Sequence, residues 1–90
     1  MIEMEALAEL RKHVQGSKLV IGMREVRKML KDGKLVKVFL ASNCPESSVQ
    51  GIRQSCEAVG CELVELSVPN DELGVLCKKP FSISTVGVLR

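Results

Sequence analysis

The chain has no Trp and no Tyr, and only two of its 90 residues are aromatic, Phe39 and Phe81. An apolar fraction of 46% must therefore pack as Leu, Val, Ile, Met, Ala and Cys, which suits aliphatic strands covered by helices. No apolar run approaches the ~20 residues of a membrane span. The first ten residues, MIEMEALAEL, carry three Glu and lack the basic-then-apolar order of a secretion signal. The expectation is a soluble cytoplasmic protein that needs no membrane.

There is one His, His13, and no C-x-x-C spacing among Cys44, Cys56, Cys61 and Cys77. That leaves no obvious ligand set for a tetrahedral metal site. The four cysteines read as reduced thiols packed like small apolar residues. Neither a cofactor nor a metal is expected. Ninety residues leave room for one domain, spanning 1–90, because a chain this short buries only about 60–65% of its surface. The net charge of +2 permits an RNA partner without requiring one, so the placement of charge matters more than its sum.

Apolar periodicity predicts four helices alternating with four strands. The first helix, about 3–14, aligns Leu7, Leu10 and Val14. Glu3 and Glu5 fall in its first turn, Arg11, Lys12 and His13 in its last, and Gly16 is its expected left-handed stop. A strand at Leu19–Ile21 leads to a helix at 23–31 with the stripe Val26, Met29 and Leu30, stopped by Gly33. The second strand is 36–41. A third helix is expected to be capped by Ser47 or Ser48, with Val49, Ile52, Cys56 and Val59 inward and Gly60 at its end. A strand at 62–67 follows. Asn70 is expected to cap a fourth helix that Pro80 halts, and the last strand is 82–89. The order αβαβαβαβ predicts an α/β sandwich of helices on both faces of one sheet.

Three stretches carry unusual chemistry. Gly22 stands where a strand passes into a helix, and that helix begins with unpaired N–H groups. Arg24, Glu25 and Lys28 fall on its exposed side. Arg can pair with guanine O6 and N7, Glu can accept from a base amino group, and Lys can hold phosphate. On charge pattern alone a solvated helix face is the better explanation. Asn43-Cys44-Pro45 ends the second strand, on the side where open α/β sheets bind ligands. Asn43 can read a base edge or start an Asx-turn. Phe81 and Ile83 follow Lys78-Lys79-Pro80, and either can pack on an unstacked base or close the core. Cys-Pro-x-Ser at 44–47 also raises a monothiol redox reading. Against it, Val68-Pro69 precedes helical Asn70-Asp71-Glu72 rather than a strand, and no aromatic flanks Cys44.

Taken together, GMREVRKMLKDGK, the NCP at 43–45, VPNDELG and KPFSISTVGVL cover nearly the whole chain. The combination resembles the kink-turn RNA-binding family of ribosomal and small nucleolar ribonucleoprotein components, the ribosomal L-seven-Ae / L-thirty-e family. NCP and KPF look most like its L-thirty-e branch of the large ribosomal subunit. The resemblance implies a three-layer α/β/α sandwich with a mixed four-stranded sheet. It implies a non-enzymatic protein that binds a sharply bent internal loop beside tandem sheared G·A pairs, and nothing in the sequence demands more than a monomer when free. The RNA would be ribosomal, with neighbouring ribosomal proteins as further partners, or the protein would serve a guide-RNA particle. By this likeness Gly22 allows close approach, Arg24 and Glu25 read guanines, Lys28 and Asn43 contact RNA, and Phe81 and Ile83 support an extruded nucleotide. Arg24 stands where the family usually carries Asn or Lys, and Ser48 where some members carry a basic residue.

Overall fold

A computed structural model describes residues 2–16 and 18–90, and side chains at 7–14, 16 and 18–90. Its elements alternate as expected: α1 (Ile2–Gly16), β1 (Leu19–Ile21), α2 (Met23–Lys31), β2 (Leu35–Leu40), α3 (Glu46–Val59), β3 (Glu62–Glu65), α4 (Asn70–Leu76) and β4 (Thr85–Leu89). The strands form one mixed sheet in the order β1-β4-β2-β3. β4 lies antiparallel to both β1 and β2, and β2 lies parallel to β3.

Each face of the sheet buries its own core. Leu10, Phe39, Leu66, Leu73, Cys77, Ile83, Val86 and Val88 fill the side under α1 and α4. Val26, Leu30, Leu35, Val38, Leu40, Val49, Ile52 and Cys56 fill the side under α2 and α3. Three layers result. Phe39, fully buried in the central strand β2, carries the bulk that the aliphatics lack.

β2 would not seat both Leu35 and Val38 on one face if it alternated strictly. A register shift between Leu35 and Lys37 solves this, because the extra residue, Val36, bulges out and is 47% exposed. The bulge turns Lys37 to the α1 side, where its Nζ pairs with Glu9 and reaches Glu62 at 3.0 Å.

Several sequence-derived boundaries need correction. Gly16 is the last residue of α1 and is not left-handed, whereas Gly33 (φ 68°) and Gly60 (φ 71°) are. The expectation for Glu3 and Glu5 concerns side chains outside the described residues. α3 begins at Glu46, so Ser47 and Ser48 lie inside its first turn. Pro45 is its N-cap and accepts the first helical hydrogen bond through its carbonyl, from Val49 at 3.0 Å. Asn70 is likewise the first helical residue of α4, behind Pro69. β4 starts at Thr85, and residues 82–84 form the approach to it.

α4 stops before Pro80. Lys79 N–H donates to Gly74 O and Lys78 N–H to Val75 O, both at 3.0 Å, closing a Schellman turn. Lys78 takes the left-handed position of that turn with φ 58°, where glycine is usual.

Candidate nucleic-acid interface

The end of the sheet that holds the C-termini of β1 and β2 and the start of β4 collects the unusual residues. Gly22 joins β1 to α2 with φ 102° and ψ 144°, a conformation that glycine reaches without strain. A Cβ there would meet nothing within 4 Å, so the backbone angle, not crowding, calls for glycine. Gly22 N–H donates to Thr85 O at 3.1 Å and Gly22 O accepts from Val26 N–H at 3.0 Å. Glu25 therefore has no N-cap amide to reach back to. Among the described residues no side chain caps α2, and the N–H groups of Met23, Arg24 and Glu25 have no partner.

Arg24, Glu25 and Lys28 are exposed. Among the described residues none of them enters an ion pair. Arg24 also stands in the first turn, against the helix dipole, at a cost of roughly 0.3–1 kcal/mol. α2 carries Arg24, Arg27, Lys28 and Lys31 against Glu25, a local +3 in a chain whose total is +2. The arrangement concentrates unneutralised positive charge beside open amides, which is the electrostatic form of an anion site.

A groove of 480 Å³ opens directly beside Gly22, lined by Ile21, Gly22, Met23, Lys79, Phe81, Ser82, Ile83 and Ser84. The two apolar candidates part company here. Phe81 is 56% exposed at the rim, while Ile83 is 2% exposed and belongs to the core beneath. Phe81 is thus the side chain free to meet a ligand, and Ile83 contributes the floor.

Asn43 lies exposed at the end of β2 and forms no Asx-turn. Its Oδ1 accepts from Asn70 N–H and its Nδ2 donates to Asn70 Oδ1, both at 3.0 Å. It thereby caps α4 from 27 residues away. Asn70 O accepts from Ile83 N–H at 3.0 Å, and Ala41 N–H donates to Ser84 O at 2.9 Å. The loop after β2, the start of α4 and the approach to β4 are thus fastened together. Asn43 keeps one Nδ2 hydrogen and one lone pair for another partner. Sequence reasoning missed Asn70 as the partner of Asn43. Two Asn residues at strand-end loops were the only signal, and the pairing is long-range.

Cys44 is buried, and burial pushes its thiol up from the ordinary range although a hydrogen bond with Thr85 pulls the other way. Cys56, also buried, is pushed up to about 12. Cys61 and Cys77 are shifted upward by burial too. A thiolate nucleophile needs the opposite shift, so the redox reading of Cys44 finds no support in its surroundings. Among the described residues no three His, Cys, Asp or Glu side chains gather where they could hold a metal ion.

Comparison with known proteins agrees with this architecture. Residues 4–90 match the family described as "Ribosomal protein L7Ae/L30e/S12e/Gadd45 family". The chain belongs to this family. Among curated relatives, the large ribosomal subunit protein eL30 of Sulfurisphaera tokodaii is 33% identical over 91% of this chain and 77% of its own length. That of Methanoregula boonei is 31% identical over 96% and 86%. A solved structure, the Giardia lamblia 15.5kD RNA binding protein, superimposes with a TM-score of 0.86 at 20% identity, covering 97% of this chain and 72% of that one. A protein of unknown function from Bacillus halodurans superimposes with a TM-score of 0.83 at 19% identity, over 93% and 83%. These last two likenesses speak for the fold.

Proposed function

We propose that this family member is a non-enzymatic RNA-binding protein of the ribosome's large subunit that recognises a kink-turn. The observation that carries the reading is the α2 start: three open amides and Arg24, Glu25 and Lys28 without an ion-pair partner among the described residues, next to a groove with an exposed Phe81. The eL30 relatives support the ribosomal assignment. The 15.5kD RNA binding protein shares the fold on which the reading is built.

In this reading Arg24 donates to guanine O6 and N7, and the Glu25 carboxylate accepts from guanine N–H groups. Lys28, one turn along α2, holds the RNA backbone. Phe81 stacks on a base turned out at the bend, while Gly22 keeps the helix start free of a side chain. Asn43 offers its remaining donor and acceptor from the adjoining loop. The protein then stabilises the bent RNA only by the difference between its affinities for bent and extended forms. Few phosphates are met, so the salt dependence is shallow, with a slope of roughly −0.7 to −0.9 per contact.

Calorimetric titration tests this with a kink-turn RNA and a straight duplex of matched length. Tighter binding of the kink-turn is expected. Equal affinity for both would remove the specific claim.

A further inference from the structure

We infer that Gly74, on α4 and away from the groove, is a positioning residue that fixes Phe81 for an unstacked base. This rests on the RNA reading above. Gly74 is buried in the middle of α4, where glycine costs helix stability relative to alanine. A Cβ at Gly74 would lie 2.1 Å from the Phe81 carbonyl oxygen, 3.1 Å from its carbonyl carbon and 3.4 Å from Ser82 Cα. The obstruction is main chain, so no side-chain rotation relieves it. The helix accepts a glycine so that the backbone of Phe81 can lie directly against it.

Three further ties hold the same segment. Gly74 O accepts from Lys79 N–H, Lys78 is held left-handed with φ 58°, and Asn70 O accepts from Ile83 N–H. Residues 78–83 thus form a shelf bolted to α4 at both ends, and from it the Phe81 ring stands 56% exposed. An exposed ring on a loose loop would lose rotational and backbone freedom on stacking. A ring on a fixed backbone loses less, so the shelf pre-organises the stacking surface. Every base has a π-face, so the shelf serves base stacking of any identity rather than hydrogen-bonded readout.

The test is Gly74→Ala, measured with two kink-turn RNAs that are identical except that one is abasic at the turned-out nucleotide. The readout is the ratio of the two affinities on one protein sample, which cancels any loss of folded fraction. Wild type should favour the RNA with the base by at least about fivefold. Gly74→Ala should bring the ratio close to one, and should add nothing in a Phe81→Ala background. A Gly74→Ala ratio equal to that of wild type overturns the inference, as does an additive effect with Phe81→Ala. If Gly74→Ala does not fold alone, it is combined with Lys78→Gly, which relieves the left-handed strain, and read against Lys78→Gly. Failure of wild type to prefer kink-turn RNA over duplex would instead overturn the functional reading itself.

Discussion

Charged residues behave in opposite ways at two places on this molecule. Around β3, Lys37 joins Glu9 and Glu62, and Arg53 meets Glu65 at 2.8 Å. Along α2, no described acid pairs with Arg24 or Lys28, and Arg24 opposes its own helix dipole. Both regions are helix or strand surface with similar residue types. What differs is satisfaction. Charges that meet partners within the fold contribute to the fold, and charges left open at a helix start remain available to an anionic ligand.

The two phenylalanines repeat the contrast. Phe39 is fully buried and its ring lies 5.7 Å from Lys37 Nζ, whereas Phe81 stands at the groove rim. Substitutions should separate the two regions cleanly. The largest effect is Phe39→Ala, expected to cost about 3–5 kcal/mol of stability in a denaturant titration, with lost binding only through lost fold. Arg24→Ala and Glu25→Ala should each weaken kink-turn binding by about 1–3 kcal/mol. Their stability should stay within ~0.5 kcal/mol of wild type. If either loses stability instead of affinity, the contrast fails. Phe81→Ala should also weaken binding by about 1–3 kcal/mol, but only for RNA that carries the turned-out base.

Lys37→Met should leave RNA affinity unchanged and reveal itself in pH dependence. The hydrogen bond from Lys37 holds the Glu9 carboxyl below its ordinary 4.5, so its contribution is present above that value and fades as pH falls through the folded value. Burial lowers the Lys37 pKa, but the hydrogen bonds it donates to Glu9 and Glu62 outweigh burial and hold the ammonium above 10.5. That contribution is complete below 10.5 and lost as pH rises further. The Tm difference between wild type and Lys37→Met should therefore be flat across neutral pH and shrink on acidification below about 4.5. A difference that persists unchanged well below that pH would remove the pair from the account.

The sequence-level reading succeeded where periodicity carries the information. Leu10 in α1, Val26 and Leu30 in α2, and Val49, Ile52 and Cys56 in α3 all point inward at helical spacing. Gly33 and Gly60 end their helices with positive φ, as a glycine after an apolar stripe suggests. It failed where a partner distant in sequence decides. Asn70 looks like a local cap, yet its own N–H is satisfied by Asn43. Serines at 47 and 48 outrank proline as caps by propensity, but Pro45 holds the N-cap of α3 with φ −57°. The bulge at Val36 leaves no local mark, because Leu, Val and Lys suit either register. Around the candidate site, the exposure of Arg24, Glu25 and Lys28 along α2 was legible. The exposure of Phe81 against the burial of Ile83 was not, since that depends on how closely the 78–83 backbone approaches Gly74.

Selection of bent RNA by the open end of α2 is tested most directly by end-to-end energy transfer in a doubly labelled kink-turn RNA. Under low-salt, metal-free conditions that favour the extended form, stoichiometric wild-type protein should raise the transfer efficiency to a plateau. Arg24→Ala combined with Glu25→Ala should not. Binding of wild type without any rise in transfer would contradict the account.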